Sequence, residues 1–367
     1  MNNVEWLSAF SATLSLMVVT AGCAGEPEEE PVTEAQQAET IDNGVHLNGL
    51  HVNGIHVNGL HVNGLHVNGT TLGGLTVSGM KLDKTSFTGM INGVARSGLG
   101  FIGAAMDGAM SDGTAVHLRI DNIQTSSDPE ILLYDVSSSL DGQTWAPLCT
   151  DLVGQPVHSY PVFGYWDESQ GTATGGDHVA ELTEVTFACQ GYAIAKCTEM
   201  DYKTWAFARE CRDNNDCHSL PLWMHHEACT RMLRADYCGD GMATTRDGTL
   251  VDIADDVGFE SPTMLNWTFE AEWGFDGATC IKNTRWPTIL GITDPKAARV
   301  TSYIDAHCPE RWVGPTDKKC GSTSSTFYTK VGYSTSLLKR SLLMTRSNGT
   351  TVPAPPSGAP TNPPQGD

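Results

Sequence analysis

Residues 219–241 read SLPLWMHHEACTRMLRADYCGDG, and their spacing predicts the main helix of the chain, over about 220–236. Ser219 is placed to cap it, Pro221 falls in the first turn where a missing N–H costs nothing, and Gly239 stands just past the end as a stop. Leu222, His226, Cys229 and Leu233 follow in steps of 4, 3 and 4 and so share one face, while Glu227 and Arg231 have the i,i+4 spacing of an ion pair. Cys229 lies on the apolar stripe and Cys238 just beyond it, so disulfides are expected to pin both parts of the helix to a β half.

That β half is read on the N-terminal side. Residues 114–120 alternate apolar with polar, 131–136 and 145–148 flank the hairpin signal Asp141-Gly142, and 184–189 and 192–197 read as further strands. Trp145 and Trp166 read as core rings rather than as a ligand groove. A second short helix is expected to start at Asp294-Pro295 and to end before Cys308-Pro309. The fold class is therefore α+β, a β-dominated, disulfide-rich domain over 97–345 with one main helix.

This region holds Cys149, Cys189, Cys197, Cys211, Cys217, Cys229, Cys238, Cys280, Cys308 and Cys320, all but one of the 11 cysteines. An even set in an exported chain predicts up to five disulfides, and the lack of paired C-x₂-C ligands disfavours structural zinc. Connectivity stays open, although Cys211 and Cys217 could close a small local loop.

Export itself is read from the N-terminus. An apolar run over 7–20 ends in Val19-Thr20-Ala21-Gly22-Cys23, the small-small-Cys arrangement of a lipobox, and is too short to span a bilayer. Residues 1–22 then form a lipoprotein signal peptide and Cys23 is the lipidation site; plain secretion with cleavage nearby is the alternative. Residues 23–42 carry Glu26, Glu28, Glu29, Glu30, Glu34, Glu39 and Asp42 with no basic group, which predicts an extended acidic tether. With 22 Lys+Arg against 43 Asp+Glu the formal charge is −21, so nucleic acid is not an expected partner.

From Asn43 the chain repeats a five-residue unit, NGVHL NGLHV NGIHV NGLHV NGLHV, which decays towards residue 92. A helix is excluded, because five residues advance about 140° past a full turn and each Gly costs about 1 kcal/mol. A flat strand fails too, since an odd repeat would send the apolar set to the opposite face in every unit. Short strands cornered at Asn-Gly satisfy the pattern, and the 43–92 segment resembles a pentapeptide-repeat β-solenoid. His46, His51, His56, His61 and His66 read as solvated decoration. His46 and His66, four units apart, are the metal candidates within it.

The stretch 226–241, with Ala235-Asp236-Tyr237-Cys238-Gly239-Asp240-Gly241 at its end, resembles the ADYC domain, a family named for Ala-Asp-Tyr-Cys in cysteine-rich exported proteins, largely of myxobacteria. The similarity extends over about 100–320, through Ser111-Asp112-Gly113-Thr114, Phe187-Ala188-Cys189, Ala195-Lys196-Cys197 and Arg246-Asp247-Gly248-Thr249. The resemblance implies a place and a scaffold, and no chemistry.

Catalysis would have to start from His225, His226, Glu227, Asp236, Asp240 or His307, of which His226, Glu227, Asp240 and His307 are the catalytic candidates. Asp236 lies about 16 Å along a helix axis from His225, too far for a pair. No H-E-x-x-H or G-x-S-x-G motif is present. Asp236 is expected to cap backbone or to meet Arg231 or Arg234. Calcium could use Asp213 and Asp216, or Asp240 with Asp247, although no EF-hand spacing exists. No cofactor is expected. Residues 346–367 read as a Pro-rich disordered tail.

The sequence thus predicts a cell-envelope lipoprotein, held to the membrane by an acyl anchor, that acts as a structural, adhesive or binding module towards an envelope or surface protein or glycan. The alternatives are an extracytoplasmic hydrolase using the 225–240 region and a metal-binding surface protein. Geometry discriminates: a candidate His beside an exposed carboxylate in a cleft favours the enzyme, and burial against aliphatics favours the scaffold.

Overall fold

The structure, a computed structural model, describes residues 41–43, 65–109, 114–151, 154–167, 176–180, 184–211, 217–246, 248–264, 266–313, 320 and 341–347. The signal segment, Cys23, repeat residues 44–64, the 212–216 loop with Asp213 and Asp216, Asp247 and the segment from 348 onward lie outside them.

Alternating apolar residues build a closed sheet. Six strands, Leu65–Leu72, Ala104–Ala109, Ala115–Thr125, Leu132–Ser139, Ser159–Phe163 and Glu184–Cys189, pair antiparallel, each with two others of the set, so the ladder returns on itself as a barrel. Val116, Leu118 and Ile120 are buried at every second position of one strand, and Tyr134 and Val136 face them from the next. A three-stranded sheet, Ser78–Asp83, Ser86–Ile91 and Val94–Ser97, lays Phe87 against Phe101, Tyr134 and Phe187 with ring centroids 6.0, 5.8 and 6.1 Å away.

The described part of the repeats is therefore not a solenoid. Residues 65–92 run in antiparallel strands, and the last Leu-His-Val-Asn-Gly unit, residues 65–69, belongs to a barrel strand. Two devices reconcile the five-residue period with a sheet. Opposite the 104–109 strand, Val67 pairs with Gly108 and Gly69 with Asp107, so Asn68 is an extra, bulged residue; the 78–83 strand gains one extra residue in the same way between Ser78 and Lys81, where Gly79 has φ +60°. One bulge per unit turns an odd advance of five into an even advance of four, and the apolar residues stay in phase. Elsewhere Gly73-Gly74 and Asn92-Gly93 take positive φ at both central positions of two-residue hairpin turns, reversing the chain rather than cornering it.

A second sheet has the order Ile41–Asn43, Thr249–Asp255, Leu343–Ser347, Thr268–Gly274, Gly277–Ile281, again antiparallel. Ile41 and Asp42, expected in the tether, and Arg346 and Ser347, expected in the tail, are strand residues.

Three α-helices stand among the described residues: α1, Ala193–Glu199; α2, Trp223–Arg234; and α3, Val300–His307. The segment 192–197 expected as a strand is mostly α1, its Ala193-Ile194-Ala195 run lacking polar alternation and being buried throughout. The main helix begins later than its caps suggested. Ser219 and Pro221 close the strand Cys217–Pro221, which pairs with Phe207–Cys211, and the helix ends at Ala235, which takes the left-handed conformation (φ +51°) four residues before the glycine expected as its stop. Nor does α2 have a solvated face: every residue from Met224 to Arg234 is buried, between α1 and strands of the second sheet. The third helix starts six residues after Asp294.

Four cysteine pairs stand at disulfide distance: Cys149–Cys189, Cys197–Cys229, Cys238–Cys308 and Cys280–Cys320, with Cα atoms 5.5, 5.8, 5.5 and 6.0 Å apart. Cys229 thus ties α2 to α1 and Cys238 ties its end to the end of α3, helix to helix rather than helix to strand. Cys211 and Cys217 are register partners across their hairpin.

Candidate functional site

The turn that ends α2 is the Ala235–Gly241 segment singled out in the sequence. Ala235 adopts the left-handed conformation, and the N–H groups of Ala235 and Asp236 donate to the carbonyls of Met232 (3.0 Å) and Arg231 (2.9 Å). Two carbonyls of the helix end accept from the fully buried Arg285, whose guanidinium donates to Met232 O at 3.0 Å and Leu233 O at 3.2 Å, and that of Arg234 accepts the Thr244 N–H at 3.1 Å. A cation at a helix C-terminus is favoured by the dipole as well as by these bonds.

Each following side chain has a structural partner. Asp236, fully buried, accepts from Arg231 at 2.7 Å and from the N–H groups of Asp240 and Gly241 at 3.2 and 3.0 Å. Arg231 also reaches Asp177, and its i,i+4 partner Glu227 lies 3.8 Å away. Tyr237 donates to Glu270 at 2.7 Å, accepts the Arg285 N–H at 2.8 Å and stacks on Trp273 at 5.2 Å. Cys238 is bonded to Cys308. Gly239 has φ +71° and lies so close to the chain at Asp276 that a Cβ would sit 1.7 Å from that carbonyl oxygen. Gly241 accepts from Arg234 at 2.5 Å.

Asp240 is where this turn meets partly exposed side chains. Its carboxylate accepts the Tyr303 hydroxyl at 2.5 Å, and His307 Nδ1 stands 3.6 Å away with its side chain 47% exposed against 16% for Asp240. The rings of Tyr303 and His307 are 4.0 Å apart, and burial together with the Asp240 carboxylate pushes the Tyr303 hydroxyl pKa up.

The sequence candidates divide accordingly. Asp240 and His307 come together. His226 does not join them: fully buried, its Nε2 donates to Ile194 O at 3.0 Å beside the Trp166 ring, and burial pushes its pKa down to about 3. Burial also raises the Glu227 carboxyl well above its ordinary range against the pull of Arg231, and its Oε1 accepts the His178 N–H at 3.1 Å. His225, likewise buried, pairs with Asp256 at 2.5 Å. Of the metal candidates, His46, Asp213 and Asp216 lie outside the described residues, and His66 is a strand residue opposite Glu184 and Ala109. Among the described residues no three His, Cys, Asp or Glu side chains gather as a metal site. Sequence reasoning missed Arg285 and Glu270: Glu270 shares the polar positions of an alternating run with Glu272, Arg285 follows the polar run Lys282-Asn283-Thr284, and nothing in the spacing marks either as buried.

A family model described as ADYC domain matches residues 98–287, just over half the chain. No curated protein and no solved structure matches it. The matched span contains five of the six barrel strands and three of the five strands of the second sheet; Leu65–Leu72 and Leu343–Ser347, interior to those sheets, lie outside it.

Proposed function

The chain belongs to the ADYC domain family, and on that premise we propose that it is a cell-envelope lipoprotein whose folded part serves as a structural, adhesive or binding module. The observation that carries this reading is the use made of the family motif: from Ala235 to Gly241 every residue but Asp240 ends a helix, pairs with a buried charged group, closes a disulfide or permits a close backbone approach. A motif so engaged holds an architecture in place. The four cysteine pairs at disulfide distance are compatible with an extracytoplasmic address, and among the described residues no helix is long and apolar enough to cross a membrane. The lipobox at Cys23 supplies the attachment, and an envelope or surface protein or a glycan is the partner class.

Palmitate labelling with envelope fractionation tests the address: wild type is expected to carry label and Cys23→Ala to lose it, and undiminished label in the variant overturns the anchor. The contact of Asp240 with His307 favours a second reading, a hydrolase centred there. Turnover on ester, peptide or glycoside substrates that disappears in His307→Ala would replace the module with the enzyme; equal, background turnover in both proteins leaves the module standing.

A further inference from the structure

The barrel strand Leu65–Leu72 sits between the Glu184–Cys189 and Ala104–Ala109 strands, and it begins with the unit Leu65-His66-Val67-Asn68-Gly69. The same five residues occur immediately before it, at 60–64, and again at 50–54, while 55–59 differs only by Ile for Leu. We propose that the position between these two strands is a recognition site for the repeat unit as such, and that the upstream copies of this chain's own repeats are its alternative occupants.

The register supports interchange. Val67 lies opposite Gly108 and Gly69 opposite Asp107, with Asn68 bulged between them, so a slide by one unit places Val62, Asn63 and Gly64 in the same three positions with the bulge preserved. A slide of five in an unbulged strand would turn every side chain over; here it amounts to four partner positions and turns none. Beyond the unit, Thr70, Thr71 and Leu72, opposite Met106, Ala105 and Ala104, would be replaced by Leu65, His66 and Val67. The buried Thr70 place receives an apolar residue, the exposed Thr71 place a polar one and the Leu72 place another aliphatic. What is lost is the short pairing of Thr71 and Leu72 with Thr76 and Leu75 and the contact of the Thr70 hydroxyl with the Met80 sulfur. The five residues extruded lengthen a connection, which costs little because loop entropy grows only logarithmically.

The upstream copies reach the site because their segment ends directly at Leu65. Each slide shortens the chain between the 41–43 strand and the barrel by one unit, so the repeats act as an adjustable spacer with a redundant strand. This inference stands apart from the proposed envelope role and does not need it.

Proline tests it, since Pro in an interior strand removes a ladder donor and is not tolerated there. Val67→Pro in the mature full-length chain is expected to keep a single cooperative urea transition by tryptophan fluorescence, because a slide of two units brings residues 55–59 to the place of 65–69 and carries the proline past the Leu72 place and out of the strand. The quadruple variant Val52→Pro, Val57→Pro, Val62→Pro and Val67→Pro is expected to lose that transition, as is the control Ile120→Pro in a neighbouring barrel strand. Loss of the transition in Val67→Pro alone overturns the inference, and so does its survival in the quadruple variant.

Discussion

The Arg285 backbone N–H donates to the Tyr237 hydroxyl at 2.8 Å, joining the turn after α2 to a loop 48 residues further along the chain. The same hydroxyl donates to Glu270, and Arg285 Nε donates to the other Glu270 oxygen at 3.1 Å, so three buried groups satisfy one another. Tyr237→Phe leaves a buried N–H short of its acceptor and should cost about 1–3 kcal/mol. Arg285→Ala strands the Glu270 carboxylate and uncaps the helix, and should cost more, about 3–5 kcal/mol. Urea unfolding of both single variants and the double should show strong non-additivity; additive losses would mean that the three groups are not one network.

Gly239 and Gly93 separate two reasons for a glycine. Both have positive φ, +71° and +76°, but a Cβ at Gly93 meets nothing within 4 Å whereas one at Gly239 collides with the Asp276 backbone. Gly93→Ala should therefore cost only its backbone strain, about 1–2 kcal/mol. Gly239→Ala must also push two chain segments apart next to the Cys238–Cys308 bond. A thermal melt in which the two variants fall equally would contradict this geometry.

A non-reducing digest of native protein should yield the crosslinked pairs 149–189, 197–229, 238–308 and 280–320. Replacing Cys197 and Cys229 together by Ser, so that no lone thiol remains, should lower stability by about 2–4 kcal/mol and loosen α1 from α2. Peptide mapping that finds Cys229 joined to a strand cysteine instead would restore the helix-to-sheet arrangement that the sequence predicts.

The main helix was legible because its apolar period is long, and its ends were not because they depend on contacts remote in sequence. Nothing near Arg234 announces that Ala235 turns left-handed; Arg285 and Thr244, which bind the end of the helix and the Ala235 carbonyl, make that conformation hold. Arg231, Arg234, Glu227 and Asp236 resemble a solvated helix face in one dimension, yet the fold buries all four. The repeats show the opposite case. The argument that an odd period cannot remain in a strand is sound for a regular strand, and it fails at Asn68 because one bulge absorbs the odd residue. Of the candidate site, the spacing gave Asp240 and His307 separately; only the α3 packing and the Cys238–Cys308 bond bring them within 3.6 Å.

Acid should weaken this fold in two steps. The unfolded chain protonates the His226 imidazole near its ordinary value of 6.5, whereas the native state, which buries it beside Trp166 and Ile194, does so only near 3. Between those values the unfolded state holds the extra proton, so the full contribution is present above about pH 6.5 and declines by about 1.4 kcal/mol per pH unit below it. His178, also lowered by burial, adds to the same window. Glu130 acts lower. Hydrogen bonds from Lys84 and Lys203 hold its carboxyl at about 2 against an ordinary 4.5, so its contribution is present above 4.5 and fades towards 2. Glu227, whose carboxyl burial raises, takes up its proton first in the native state and offsets part of this loss, so the test is the difference in melting temperature between wild type and variants, followed from pH 7.5 to 3.5. His226→Gln, which keeps a donor for Ile194 but cannot titrate, should flatten the decline between pH 6.5 and 5 and leave the lower step in place; Glu130→Gln should do the reverse. Identical profiles for wild type and His226→Gln above pH 5 would show that this imidazole is not held neutral by burial.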